Sequence, residues 1–258
     1  MPTNESKALQ ILRGNIEWLK LDMQINDVLC RKAIRDMKLY KRQNAYLSTA
    51  LKVRASKYDT LVHPVSQASV IFNQSINRRQ EYAICQTYGF FTAYLHSILF
   101  EMYKHNPLKV VDSLLKNVEK DEKVKSLSTI EIIKLGSYPK IERKIIDDIF
   151  RKLEDEQSTK SLLMKILKCC DMEDRINGND IKETLKYLEL RHIIIHHNGI
   201  IDSTYANTYG DSYNPHVKAG YKMQRTYEIC RQTYEKTLSL CKAIDSALIK
   251  NNCISARA

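Results

Sequence analysis

The stretch Ile181 to Gly199, IKETLKYLELRHIIIHHNG, decides how this chain folds. At about 100° per residue, Ile181, Leu185, Leu188, His192 and Ile195 fall on one narrow stripe, with Arg191 to one side and His196 to the other. Leu190, Ile193 and Ile194 occupy the opposite side. Asn177-Gly178-Asn179-Asp180 supplies a turn and cap in front, and Asn198-Gly199 supplies the left-handed stop behind. The reading is one helix over Ile181 to His197, apolar nearly all round, which belongs in a core or at an interface.

Working outward, the rest of the chain also reads as helix. Only seven Gly and five Pro punctuate 258 residues, too few for the hairpins of a β fold. From Lys7 to Leu51 the apolar residues Leu12, Ile16, Leu19, Met23, Val28 and Leu29 keep a helical rhythm, giving one long helix capped by Asn4 or Ser6 with a break near Arg42. His63-Pro64 marks a turn. A second long helix runs from Ser66 or Ser75 to His105, and Pro107 opens a short one to Val118. Glu119 to Lys125 is charged and reads as exposed. Shorter helices cover Thr129 to Leu135, Ile141 to Glu154 and Thr159 to Cys169. Ile200 to Tyr221 reads as a tyrosine-bearing loop, and a last helix runs to Lys250. The predicted organisation is an all-α bundle, with a long N-terminal segment over 1–62 and a helical domain over 63–258 that can share one core with it.

An apolar fraction of 43% is ample for a continuous core. The polar start, MPTNESKALQ, lacks the apolar run of a signal peptide, and the most apolar window, Gly89 to Phe100, is too short for a bilayer. The expectation is a cytoplasmic protein with no membrane partner. Seven cysteines without a C-x-x-C pair read as reduced, mostly buried thiols.

Net charge is +11, and nine basic residues against one acidic residue lie between Arg31 and Lys57. Arg31, Arg35, Lys38 and Arg42 recur at steps of four, three and four. On a helix they form one stripe, with Ala33, Met37 and Tyr40 pointing away. Such a stripe suits a polyanion, RNA being the expected one, or else it is a solvated face.

Chemistry concentrates in Arg191-His192-Ile193-Ile194-Ile195-His196-His197-Asn198. His192 and His196 have i,i+4 spacing, but no Glu follows His192 and no third ligand is apparent, so no metal is expected there. Histidines satisfied inside a helical core are a second reading, strained by the company of Arg and Asn. RNA cleavage uses the same groups as a working set. The ribose 2′-hydroxyl is the nucleophile, an imidazole that titrates near neutrality moves the proton, and a guanidinium fork matches the phosphate.

Arg191 to His196 resembles the R-x4-H motif of the HEPN superfamily. The longer string from Leu188 to Asp202, LELRHIIIHHNGIID, is similar to the R-H/N-x-x-x-H-N-x-G-x-x-D signature of HEPN-like nucleases in bacterial toxin and antiviral systems. The match in detail covers about 25 residues. What the resemblance implies is a helical bundle that forms a homodimer with a composite cleft. It implies metal-independent, cofactor-free cleavage of RNA to a 2′,3′-cyclic phosphate and a 5′-hydroxyl. Carried over, Arg191 binds the scissile phosphate, His196 acts as acid or base, and His192 is the accessory polar group. His197 and Asn198 are neighbours whose roles the motif does not fix. HEPN toxins silenced by nucleotide transfer carry a tyrosine two residues after the histidine. Asn198 stands there, so that regulation is not expected. The alternatives are a non-catalytic HEPN-like module binding RNA or a regulatory partner protein, and a helical scaffold that uses the basic stripe for partner contacts.

Overall fold

The computed structural model describes residues 4–54, 57, 61–115, 129–156, 158–213 and 216–256. Its hub is a 38-residue helix. This helix, α3 (Ala68–His105), buries residues around most of its circumference, including Ala83, Ile84, Thr87, Phe91, Tyr94, Leu95, Ile98 and Leu99. A helix apolar on several sides must be wrapped by others. Here α1 (Lys7–Lys38), α6 (Tyr138–Glu156), α8 (Gly178–Leu188), α9 (Leu190–His197) and α11 (Tyr227–Lys250) pack on it, with α4 (Pro107–Leu115) and α7 (Thr159–Lys168) closing its C-terminal end. Short helices α2 (Leu47–Ala50), α5 (Thr129–Leu135) and α10 (Ser203–Tyr209) complete the all-helical fold, and the described residues contain no strand. No described helix is long and apolar enough to cross a membrane.

Long-range polar contacts fix the helix directions. Ser6 caps α1, accepting from the Leu9 amide, while its own amide donates to buried Asp245 at 2.9 Å and its hydroxyl donates to the same carboxylate. Gln24, farther along α1, meets Tyr227 at the start of α11, so the two helices run antiparallel. The Cys230 thiol lies 3.6 Å from the Gln80 carbonyl and the Tyr94 hydroxyl donates to the Cys241 carbonyl at 3.0 Å, which sets α3 parallel to α11. The inner face of α1, through Leu9, Leu12, Ile16, Leu19 and Met23, belongs to the same core as α3 and α11. The N-terminal segment and the rest therefore share one core. The seven cysteines are free thiols, with Cys30, Cys169, Cys230 and Cys241 buried.

Several elements depart from the sequence reading. The break expected near Arg42 falls a turn earlier, the first helix stopping at Lys38 with Leu39 as its C-cap. Met37, Leu47, Val65 and Ala68 form a small separate cluster, and turning the chain to build it ends the helix. Val28 and Leu29 keep the rhythm yet are exposed. The helix expected over Ile181 to His197 is two helices, α8 and α9, joined at Glu189. The His192 amide donates to the Glu189 carbonyl at 2.9 Å, a three-residue step that tightens the turn and resets the phase of the residues after it. The segment 200–221 is not all loop, because Asp202 caps α10 by accepting from the Tyr205 amide at 2.6 Å. The helix from Pro107 is described as far as Leu115, and the charged stretch 119–125 lies outside the described residues.

Candidate active site

The end of α9 is a tight reversal. Asn198 adopts φ 51° and Gly199 φ 80°, and the Gly199 amide donates to the Ile193 carbonyl at 2.9 Å. Asparagine tolerates the left-handed region, and glycine occupies it freely. A Cβ on Gly199 would also come within 3.3 Å of the Arg225 guanidinium. After the turn the chain pairs with 220–223: the Ile201 amide donates to the Tyr221 carbonyl at 2.8 Å and the Met223 amide to the Gly199 carbonyl at 2.7 Å. This pairing returns Asp202 toward the helix it has just left.

Asp202 thus uses one oxygen to cap α10 and turns the other to the histidines. Oδ2 lies 3.2 Å from His197 Nε2 and 3.9 Å from His192 Nε2. The His192 ring stands 4.7 Å from that of His196 and 5.2 Å from that of His197, so three imidazoles and one carboxylate form a single cluster open to solvent. His192, His197 and Asp202 each offer a ligand atom within 4.8 Å of the others, a set compatible with one cation. The i,i+4 pair His192 and His196 is not the pair that Asp202 joins.

Arg191 takes the other direction, onto α3. Its guanidinium carbon sits 4.6 Å from the centroid of the Tyr88 ring, a cation–π contact. Cys85 lies nearby; burial pushes its thiol pKa up and the charge of Arg191 opposes that rise. No carboxylate among the described residues pairs with Arg191. The nearby acid, Glu81, only 7% exposed, is taken by Arg225 at 2.6 Å and Arg78 at 3.0 Å. Two guanidiniums thus share one carboxylate, and Arg191, without an acidic partner among the described residues, is available to an anion.

His192, His196 and His197 are therefore gathered with Asp202 at the end of α9, with exposed Asn198 at the turn, while Arg191 stands in the first turn of the same short helix and lies on α3. The tight step at Glu189 changes which isoleucines face outward. Leu190 and Ile193, opposite Ile181, Leu185 and Leu188 on a continuous wheel, are 2% and 0% exposed, Ile194 is partly buried, and Ile195, on the same stripe as those three, is 53% exposed. Arg31, Arg35 and Lys38 are at the surface on the last turns of α1, with Arg31 held by Asp27 at 2.7 Å. Arg42 is exposed too, but beyond the helix end, so the four do not form one helical stripe.

Tyr88, Glu81 and Arg225 carry no local signal in the sequence, since long-range packing alone brings them to the site. Asp202 ends the string that begins at Leu188, and only the αL turn shows what it faces. The tyrosines of 200–221 are mostly structural. Tyr205 is buried, donating to the Lys186 carbonyl at 2.6 Å and lying 2.6 Å from the Tyr213 hydroxyl, and burial drives its pKa far upward. Tyr209, raised to about 12 chiefly by burial, packs beside it, and Tyr221 alone of the four is exposed. Comparison of the chain with family models, with curated proteins and with solved structures returns no match.

Proposed function

We propose that this protein is a metal-independent endoribonuclease of the HEPN kind, acting as a toxin or antiviral effector. The observation that carries the reading is that one eight-residue helix, α9, bears both Arg191, over the Tyr88 ring and without a carboxylate partner among the described residues, and the cluster of His192, His196 and His197. His196 takes the proton of the ribose 2′-hydroxyl, whose oxygen attacks the adjacent phosphorus. Arg191 stabilises the charge gathered on the phosphorane oxygens. The bond to the 5′-oxygen breaks, a protonated imidazole returns a proton to it, and the products are a 2′,3′-cyclic phosphate and a 5′-hydroxyl. Asp202 orients His197 and sets a negative charge 3.9 Å from His192. Exposed Ile195 beside this cluster supports pairing of two protomers around one cleft.

The test is incubation of purified protein with total RNA in EDTA, followed by analysis of product ends, with Arg191→Ala and His196→Ala as controls. Cyclic phosphate ends formed in EDTA and lost in both variants are the expected result. The His192, His197 and Asp202 set favours a second reading, metal-assisted phosphodiester hydrolysis. Cutting that EDTA abolishes and a divalent ion restores would establish that one instead.

A further inference from the structure

Helix α1 carries two apolar faces, and the bundle uses one. Leu12, Ile16, Leu19 and Met23 are buried against α3 and α11. On the other side Ile11, Trp18, Leu21, Ile25 and Val28 are 53%, 72%, 44%, 51% and 64% exposed. With Gly14 these residues stand at alternating steps of three and four, the a and d positions of a heptad, turned about 150° around the helix from the buried face. A solvated face has no use for this repeat, whereas a helix-to-helix seam requires it.

We infer that this face pairs with the same face of a second copy, the two α1 helices running antiparallel. Self-complementarity selects that occupant and direction. With the two-fold axis between Trp18 and Leu21, Gly14 faces Ile25 of the second copy, Trp18 faces Leu21, and Ile11 faces Val28, so each large side chain meets a smaller one or a gap. A parallel pair would oppose glycine to glycine and tryptophan to tryptophan. The seam presents on the order of 600 Å² of apolar surface per copy, near the roughly 800 Å² per partner of a standard interface.

Gly14 gives independent support. A mid-helix glycine weakens the helix relative to alanine, and nothing in the protomer requires it, because a Cβ there would meet nothing within 4 Å. Close approach of a second helix explains it. The surface is separate from the end of α9, and its pairing does not depend on the nuclease reading.

Trp18 is the one tryptophan of the chain and lies in the seam, so its fluorescence reports this contact alone. In a dilution series of the full chain, Trp18 emission should be blue-shifted and shielded from acrylamide at high concentration. It should turn red as light scattering shows the mass halving. Ile25→Glu should give solvent-exposed emission and the lower mass at every concentration. Gly14→Gln, which the lone protomer accommodates, should weaken pairing at least tenfold with unchanged circular dichroism. Emission that is exposed throughout, or buried independently of concentration, overturns the inference, as does an Ile25→Glu protein indistinguishable from the parent.

Discussion

At the level of single residues, the proposed site divides its labour between a guanidinium and an imidazole cluster. Arg191→Lys keeps the charge but loses both the planar fork and the stacking on Tyr88, so cutting should fall by roughly 100-fold in a single-turnover RNA assay while the fold persists. Lysine working as well as arginine would show that only charge matters. Asp202→Asn isolates the second component. Asparagine still caps α10, yet it lacks the charge that faces His197 at 3.2 Å and His192 at 3.9 Å. Turnover should drop by roughly 10- to 100-fold, less than a fully buried triad aspartate would cost, since Asp202 is partly open to water. Unchanged turnover in that variant would make the carboxylate a cap and nothing more. Arg191 and His196 can be picked out of the sequence as candidates because their residue types name a chemistry; Asp202 cannot, because the residues it faces depend on two consecutive left-handed residues.

Among the elements, the step between α8 and α9 matters most. Periodicity correctly places Ile181, Leu185 and Leu188 in the core, and the same continuous wheel fails after Glu189, where one tightened turn moves Ile193 in and Ile195 out. A wheel assumes constant phase, and tertiary packing of α9 on α3 overrode it. The two isoleucines now make opposite predictions. Ile195→Asp should leave melting nearly unchanged, yet separate protomers across the site face and abolish cutting; a fully active monomer would refute a composite cleft. Ile193→Asp places an unpaired charge in the core and should cost about 3 kcal/mol or more of stability by thermal melting. The basic residues at the end of α1 are tested at this scale too. Charge reversal at Arg35, Lys38 and Arg42 together should weaken RNA binding and flatten its salt dependence if they contact phosphates. Arg42, off the helix and out of line with the other two, should contribute least.

For the molecule as a whole, the question is whether the long N-terminal helix is an appendage or a wall of the bundle. Sequence alone allows a boundary near residue 62, since His63-Pro64 interrupts the pattern and the basic segment precedes it. Packing answers differently: Leu9, Leu12, Ile16, Leu19 and Met23 close the core over α3, and the Ser6 cap ties α1 to the buried carboxylate of Asp245 on α11. Removing residues 1–62 would uncover that apolar face and leave Asp245 without its amide and hydroxyl donors. The truncated chain should therefore lose cooperative unfolding and aggregate, rather than survive as an independent domain. Ser6→Ala is the milder form of the same experiment. It removes the cap of α1 and one donor to Asp245 while the Ser6 backbone amide remains, so it should lower stability by about 1–3 kcal/mol in denaturant unfolding. A truncated protein that melts cooperatively and still cuts RNA would show that α1 serves only as an added arm. The expected collapse would show that α1 is a wall of the bundle.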